Sequence, residues 1–159
     1  MRWSLRRFTL TKQVPLTISR GTTAAVEHLL LELEHGGQIG RGETGGFDTG
    51  QRAFSTAQLE QELMGWLPQL EAAGWQEPAH WPALLAPLSA PARCAVDLAL
   101  HDLWGQLLGQ PLWRLWGLDL RGCQPTSVTL GLAPVEKVLE RLSRWRQQLP
   151  ASRVKLKLG

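Results

Sequence analysis

Two lysines one residue apart, Lys155 and Lys157, sit near the end of the sequence in the run Val154-Lys155-Leu156-Lys157-Leu158-Gly159. Apolar and cationic residues alternate there with period two. In a strand, Val154, Leu156 and Leu158 take one face and Arg153, Lys155 and Lys157 the other. On a surface strand the lysines face water, the usual fate of lysine. Pointed into a site, they have a chemistry: desolvation and a neighbouring cation both favour the neutral amine, and a neutral amine exchanges protons as a general base and acid. A second group with binding chemistry is Arg20, in Ser19-Arg20-Gly21-Thr22-Thr23. Its planar guanidinium matches the fork of a carboxylate.

Other chemistry-bearing types do not assemble by spacing. His28, His35, His80 and His101 show no ligand spacing with one another and read as structural. His101 and Asp102 are neighbours on a helix, so their side chains diverge and make no dyad. Gly40-x-Gly42 is too short and wrongly placed for a phosphate loop. Glu43 reads as a structural or interdomain residue. Phe47 and Asp48 fall in Gly45-Gly46-Phe47-Asp48-Thr49-Gly50, a glycine-rich loop suited to closing over a substrate. No metal-ligand set is visible.

Composition bounds the rest. The chain has 159 residues, room for one domain or for a small domain and part of a second. It is 43% hydrophobic and 19% charged, which is globular rather than disordered. The net charge of +3 is mild, with basic residues near both ends and acids interleaved, so there is no basic stripe of a nucleic-acid binder. Cys94 and Cys123 are far apart and outside any Cys-x-x-Cys, reading as reduced cysteines of a cytoplasmic protein. No leader pattern or long apolar run predicts a signal peptide or a membrane span.

The elements that must position these groups follow from period and punctuation. Residues 2–12 read as a strand broken at Val14-Pro15-Leu16, 19–23 as a polar loop, 25–35 as a second strand, and 38–43 as a third after the Gly36-Gly37 turn. The three form an antiparallel sheet within residues 2–44. Ser55 or Thr56 caps a helix to about Ala73, ended by Gly74. A longer helix covers 91–108, with Pro91 in its first turn and Ala92, Ala95, Val96, Ala99, Leu100, Leu103 and Leu107 as its apolar stripe. Pro111 to Leu118 is a short helix or turn. Ser127 to Leu132 (strand), Pro134 to Gln148 (helix) and the lysine strand form a βαβ unit with parallel pairing. The fold class is therefore α+β over 1–118, followed from 119 by the opening of an α/β domain.

These stretches resemble a known family in order along the whole chain. Ala92-Arg93-Cys94-Ala95-Val96-Asp97-Leu98-Ala99-Leu100-His101-Asp102-Leu103-Trp104-Gly105, then Leu108-Gly109-Gln110-Pro111-Leu112-Trp113-Arg114-Leu115-Trp116-Gly117, resemble the capping-domain signature of the enolase superfamily, muconate-lactonising branch. Gly40-Arg41-Gly42-Glu43 is similar to a strand end of the same domain. Thr129-Leu130-Gly131-Leu132 is similar to its first barrel strand and Lys155-Leu156-Lys157 to its second. Ser19-Arg20-Gly21-Thr22 is similar to the first loop of the dipeptide epimerases acting on Ala-Glu-type substrates.

The resemblance implies a capping domain over 1–118 and the start of a (β/α) TIM-type barrel over 119–159. An eight-fold barrel takes about 250 residues, so it implies an N-terminal fragment truncated after the second barrel strand. It implies a Mg²⁺-dependent 1,1-proton transfer at the α-carbon of a dipeptide. Lys157 is then base and acid, Lys155 its electrostatic neighbour, and Arg20 and Thr129 bind the substrate, Arg20 at its distal carboxylate. The metal ligands and the opposite lysine belong to later strands, so the fragment alone is expected to be inactive. The whole protein is expected to be a cytoplasmic homo-oligomer acting on a small molecule. o-Succinylbenzoate synthase, muconate cycloisomerase and a non-catalytic cap-like remnant are the alternatives.

Overall fold

The computed structural model describes residues 1–150 and 152–158. The chain divides into two compact units: Met1–Leu10 with Val26–Leu118, and Thr11–Ala25 with Asp119–Gly159. The tip of the first hairpin clusters with the C-terminal unit.

Strands β1 (Arg2–Ile18), β2 (Gly21–His35) and β3 (Gln38–Gly45) form one sheet in that order. β2 and β3 are antiparallel, with His35 opposite Gln38 and Leu31 opposite Gly42. Their two-residue turn is Gly36-Gly37, both at positive φ (58° and 77°), as the twist of such a hairpin demands. β1 does not break at Pro15, and the expected loop over 19–23 contracts to the turn Ser19-Arg20. The hydroxyls of Thr17 and Thr22 meet across it at 2.9 Å. Pro15 is tolerated because β1 is an edge strand. The Thr17 carbonyl accepts the Leu132 N–H at 2.9 Å, so residue 17 points away from β2, and by period two so does the missing N–H of Pro15.

Short strands β4 (Phe47–Asp48) and β5 (Ala53–Phe54) pair within the glycine-rich segment. Helix α1 (Thr56–Trp66) opens on a capping box: the Gln58 N–H donates to Ser55 Oγ at 3.2 Å, and the Ser55 N–H to Gln58 Oε1 at 2.9 Å. It ends at Trp66 and tightens into a 3₁₀ turn over Leu67–Gln69 rather than running to Ala73. Pro68 removes the N–H that would continue the ladder. After the short α2 (Trp81–Leu84) comes α3 (Ala90–Leu107), tied to α1 by Glu62, which accepts from the Ser89 N–H at 2.6 Å and hydroxyl at 2.7 Å.

The predicted stripe of α3 is the core. Ala92, Ala95, Val96, Ala99, Leu100 and Leu103 are buried against Leu29, Leu31 and Leu33 of β2 and Leu59, Leu63 and Leu67 around α1, while Leu107 is exposed. Gly40 and Gly42 explain how close α3 comes to β3. A Cβ on Gly42 would lie 1.8 Å from the Ala95 carbonyl oxygen, and one on Gly40 2.2 Å from that of Ala99. The helix backbone rests on a strip of strand without side chains. α4 (Leu112–Leu115) closes this unit.

In the second unit, β6 (Ser127–Leu130) and β7 (Arg153–Leu156) pair in parallel across α5 (Val135–Gln148). Val128 and Leu130 are buried, but α5 has no buried residue, and Leu139 is 58% and Leu156 52% exposed. No helix among the described residues is long and apolar enough to cross a membrane.

Candidate active-site face

The parallel register decides which side chains meet. Ser127 lies opposite Arg153 and Thr129 opposite Lys155, and partners in a parallel pair project to the same side. Thr129 and Lys155 therefore stand side by side. The Lys157 N–H donates to the Leu130 carbonyl at 3.0 Å, carrying the ladder beyond β7, and the alternation of the strand places Lys157 on Lys155's side. The opposite side carries Val128 and Leu130, buried, with Val154 and Leu156. Period two in Thr-Leu and Lys-Leu-Lys thus sorts one polar, cationic face from one apolar face.

Lys155 and Thr129 are exposed and Lys157 is half-buried. Arg20 comes from a different element, the exposed Ser19-Arg20 turn of the same unit. The face can present two ammonium groups and a hydroxyl to a small molecule, which suits proton exchange next to a carboxylate. Among the described residues no three His, Cys, Asp or Glu side chains converge where a metal ion could sit.

Glu43, His101, Asp102 and Asp48 have structural partners. Glu43 Oε1 lies 2.6 Å from His28 Nδ1, bracing β2 against β3. His101 Nδ1 lies 2.9 Å from the Asp97 carbonyl oxygen, and its ring meets Trp81 edge-on at 4.7 Å. Asp102 accepts instead from the Arg41 N–H at 2.8 Å and from Gln106. His101 and Asp102 therefore act apart. Phe47 packs on Phe54 at 5.4 Å, and Asp48 accepts the Gly50 N–H at 2.6 Å, so both hold the β4–β5 hairpin. Sequence reasoning passed over Lys12 and Arg141, which face a common cavity in the second unit. Their positions are more than a hundred residues apart, and only folding relates them.

Comparison with known proteins yields one family. The profile described as "Mandelate racemase / muconate lactonizing enzyme, N-terminal domain" matches residues 4–117. An L-Ala-D/L-amino acid epimerase from Maribacter sp. (strain HTCC2170 / KCCM 42371) is 29% identical over all of this chain and 46% of its own length. A hydrophobic dipeptide epimerase from Roseobacter litoralis is 37% identical over 94% of this chain and 42% of its own. Among solved structures, a dipeptide epimerase from Enterococcus faecalis V583, complexed with Mg and the dipeptide L-Leu-L-Tyr, superposes with a TM-score of 0.79 at 24% identity, covering 99% of this chain and 45% of that one. The chain spans less than half the length of the curated relatives it matches.

Proposed function

Since the chain belongs to the mandelate racemase / muconate lactonizing enzyme family, we propose that it is the N-terminal part of a dipeptide epimerase, with a capping domain over 1–118 and the start of a (β/α) barrel over 119–159. The observation that carries the reading is the register that sets Thr129 beside Lys155 on the cationic face. In this reading Lys157 Nζ removes the α-proton of an Ala-Glu-type dipeptide and returns it on the same face, and Lys155 supplies the adjacent positive charge. Thr129 Oγ1 and the Arg20 guanidinium hold the substrate, the latter by its distal carboxylate. Inversion needs a second acid on the far face, which these residues do not offer. Mg²⁺ belongs to the reading only for the whole protein. The described residues provide no ligand set for it.

The test follows α-proton exchange into deuterated solvent and stereoinversion separately. The 159-residue chain alone stays at background for both. In the whole protein, Lys157→Ala abolishes inversion of both stereoisomers and leaves exchange for at most one. Near-normal inversion by that variant removes the centre of the proposal. Arg20→Ala weakens kcat/KM for substrates with a distal carboxylate by about 1.5–3 kcal/mol, the value of a charge-assisted hydrogen bond, and spares neutral dipeptides. Equal losses on both substrate types leave the family intact and move the substrate to that of o-succinylbenzoate synthase or muconate cycloisomerase.

A further inference from the structure

The second unit contains a cavity to which β7 contributes no lining residue. It has a volume of about 310 Å³ and is walled by Lys12, Val14 and Leu16 of β1, Thr129 of β6, and Arg141 and Trp145 of α5. The sequence builds these walls by two periods. Lys12, Val14 and Leu16 alternate onto one side of β1, and Arg141 and Trp145, four apart, share one face of α5. All of them belong to the same compact unit.

Its charge is one-sided. Lys12 and Arg141 are both half-buried, and no carboxylate lines the cavity. Among the described residues neither makes a hydrogen bond or an ion pair. The acid next to Arg141, Glu140, is engaged by Lys137 at 3.0 Å and Arg144 at 3.2 Å. Arg141 also acts on Glu140 at longer range, but two partly desolvated cations with no carboxylate in the cavity wall, set in an apolar wall with an indole, favour one kind of guest. A neutral guest leaves the cations unsatisfied. A bare inorganic anion leaves the apolar wall unused. At about 30 Å³ per water-sized group, the volume holds about ten non-hydrogen atoms.

We propose that this cavity binds a small monocarboxylate with a compact apolar or aromatic body. The carboxylate takes Lys12 and Arg141, and the body lies against Val14, Leu16 and Trp145. The site shares Thr129 with the proposed active-site face but takes neither Lys155 nor Lys157, and it goes beyond the epimerase reading, which stands or falls on those two lysines.

Benzoate, titrated into the purified 159-residue chain by calorimetry, is the probe. Benzamide is its neutral isostere, and inorganic phosphate the anion without a body. Benzoate binds at least about tenfold more tightly than either control, since one charge-assisted hydrogen bond is worth that factor or more. Arg141→Gln and Lys12→Gln each weaken benzoate about tenfold or more on the same grounds, while Arg141→Lys keeps part of the affinity. Circular dichroism confirms that the variants fold. The quench of indole fluorescence by benzoate disappears in Trp145→Phe. The Lys155→Gln/Lys157→Gln double variant binds benzoate as the parent does, which keeps this result distinct from that of the proton-transfer assay. Benzamide binding as tightly as benzoate overturns the proposal, as do phosphate binding more tightly than benzoate and full affinity in the Lys12→Gln/Arg141→Gln double variant. So does the absence of binding below about 10 mM, the weakest affinity expected of a ligand this size.

Discussion

The two compact units differ in what holds them. In the first, every residue of the hydrophobic core lies between Leu29 and Leu103, and α3 touches bare backbone at Gly40 and Gly42. In the second, α5 has no buried residue, and Val154, Leu156 and Leu158 of the lysine segment are exposed. Among the described residues, ion pairs between distant positions follow the same division. Arg7 of β1 clamps Glu60 of α1, 53 positions away, with Nε at 2.9 Å. In the second unit Arg121 pairs with Asp119, and Glu140 with Lys137 and Arg144, all within one turn. Long-range packing is concentrated where the proposed chemistry is absent. The proposed catalytic lysines stand on the sparsely packed unit.

The largest expected effect strikes the glycine strip. Gly42→Val places a branched side chain on the Ala95 carbonyl, where backbone cannot yield, and should cost about 3 kcal/mol or more in chemical denaturation. A cost near zero would mean that α3 is not seated as described. Next is a matched pair of leucines. Leu63→Ala should lose about 2–5 kcal/mol, whereas exposed Leu156→Ala should stay within about 0.5 kcal/mol. Equal losses would erase the contrast between the units. Amide exchange gives the comparison residue by residue: N–H groups of Leu31, Leu33 and Ala99 should exchange about 100-fold or more slowly than those along α5.

The smallest effect is electrostatic. The Arg7 guanidinium holds the Glu60 carboxyl below the usual carboxylate range, chiefly through its hydrogen bond. The folded state therefore binds this proton less readily than the unfolded chain. The pair's contribution is complete above the ordinary glutamate range and lost as pH falls through the depressed value. Urea midpoints of the parent and Arg7→Gln should differ slightly at pH 7 and converge as pH falls through the depressed Glu60 value. A gap that widens in acid would reverse the sign of this account.

Local signals carried much of this architecture. The α3 stripe, the Ser55 cap, the Gly36-Gly37 turn and the βαβ unit were legible because each depends on neighbours within a turn or two. Three features were not. The passage of β1 through Pro15 depends on its being an edge strand, a fact of sheet order. The early end of α1 follows Pro68, but Leu70 prolonged the apolar period and concealed the stop. Gly40-x-Gly42 was recognisable as a motif, yet its reason is the helix lying across it. For the site, Lys155 and Lys157 were visible by type and alternation, whereas the adjacency of Thr129 and Lys155 required the register. Lys12 and Arg141 carried no local signal at all.

One contact from α3 has a consequence for the company this chain keeps. β3 borders its sheet, and its outward backbone groups are ready to template a foreign strand. Two of them are already taken: the Arg41 N–H by Asp102, and the Ile39 carbonyl by the Gln106 amide at 2.7 Å. Asp102 and Gln106, one helical turn apart, act as a guard rail against self-association into amyloid-like ribbons. Removing both should leave the chain folded at low concentration and shorten its shelf life at high concentration, with thioflavin-positive aggregates appearing first in the doubly substituted chain.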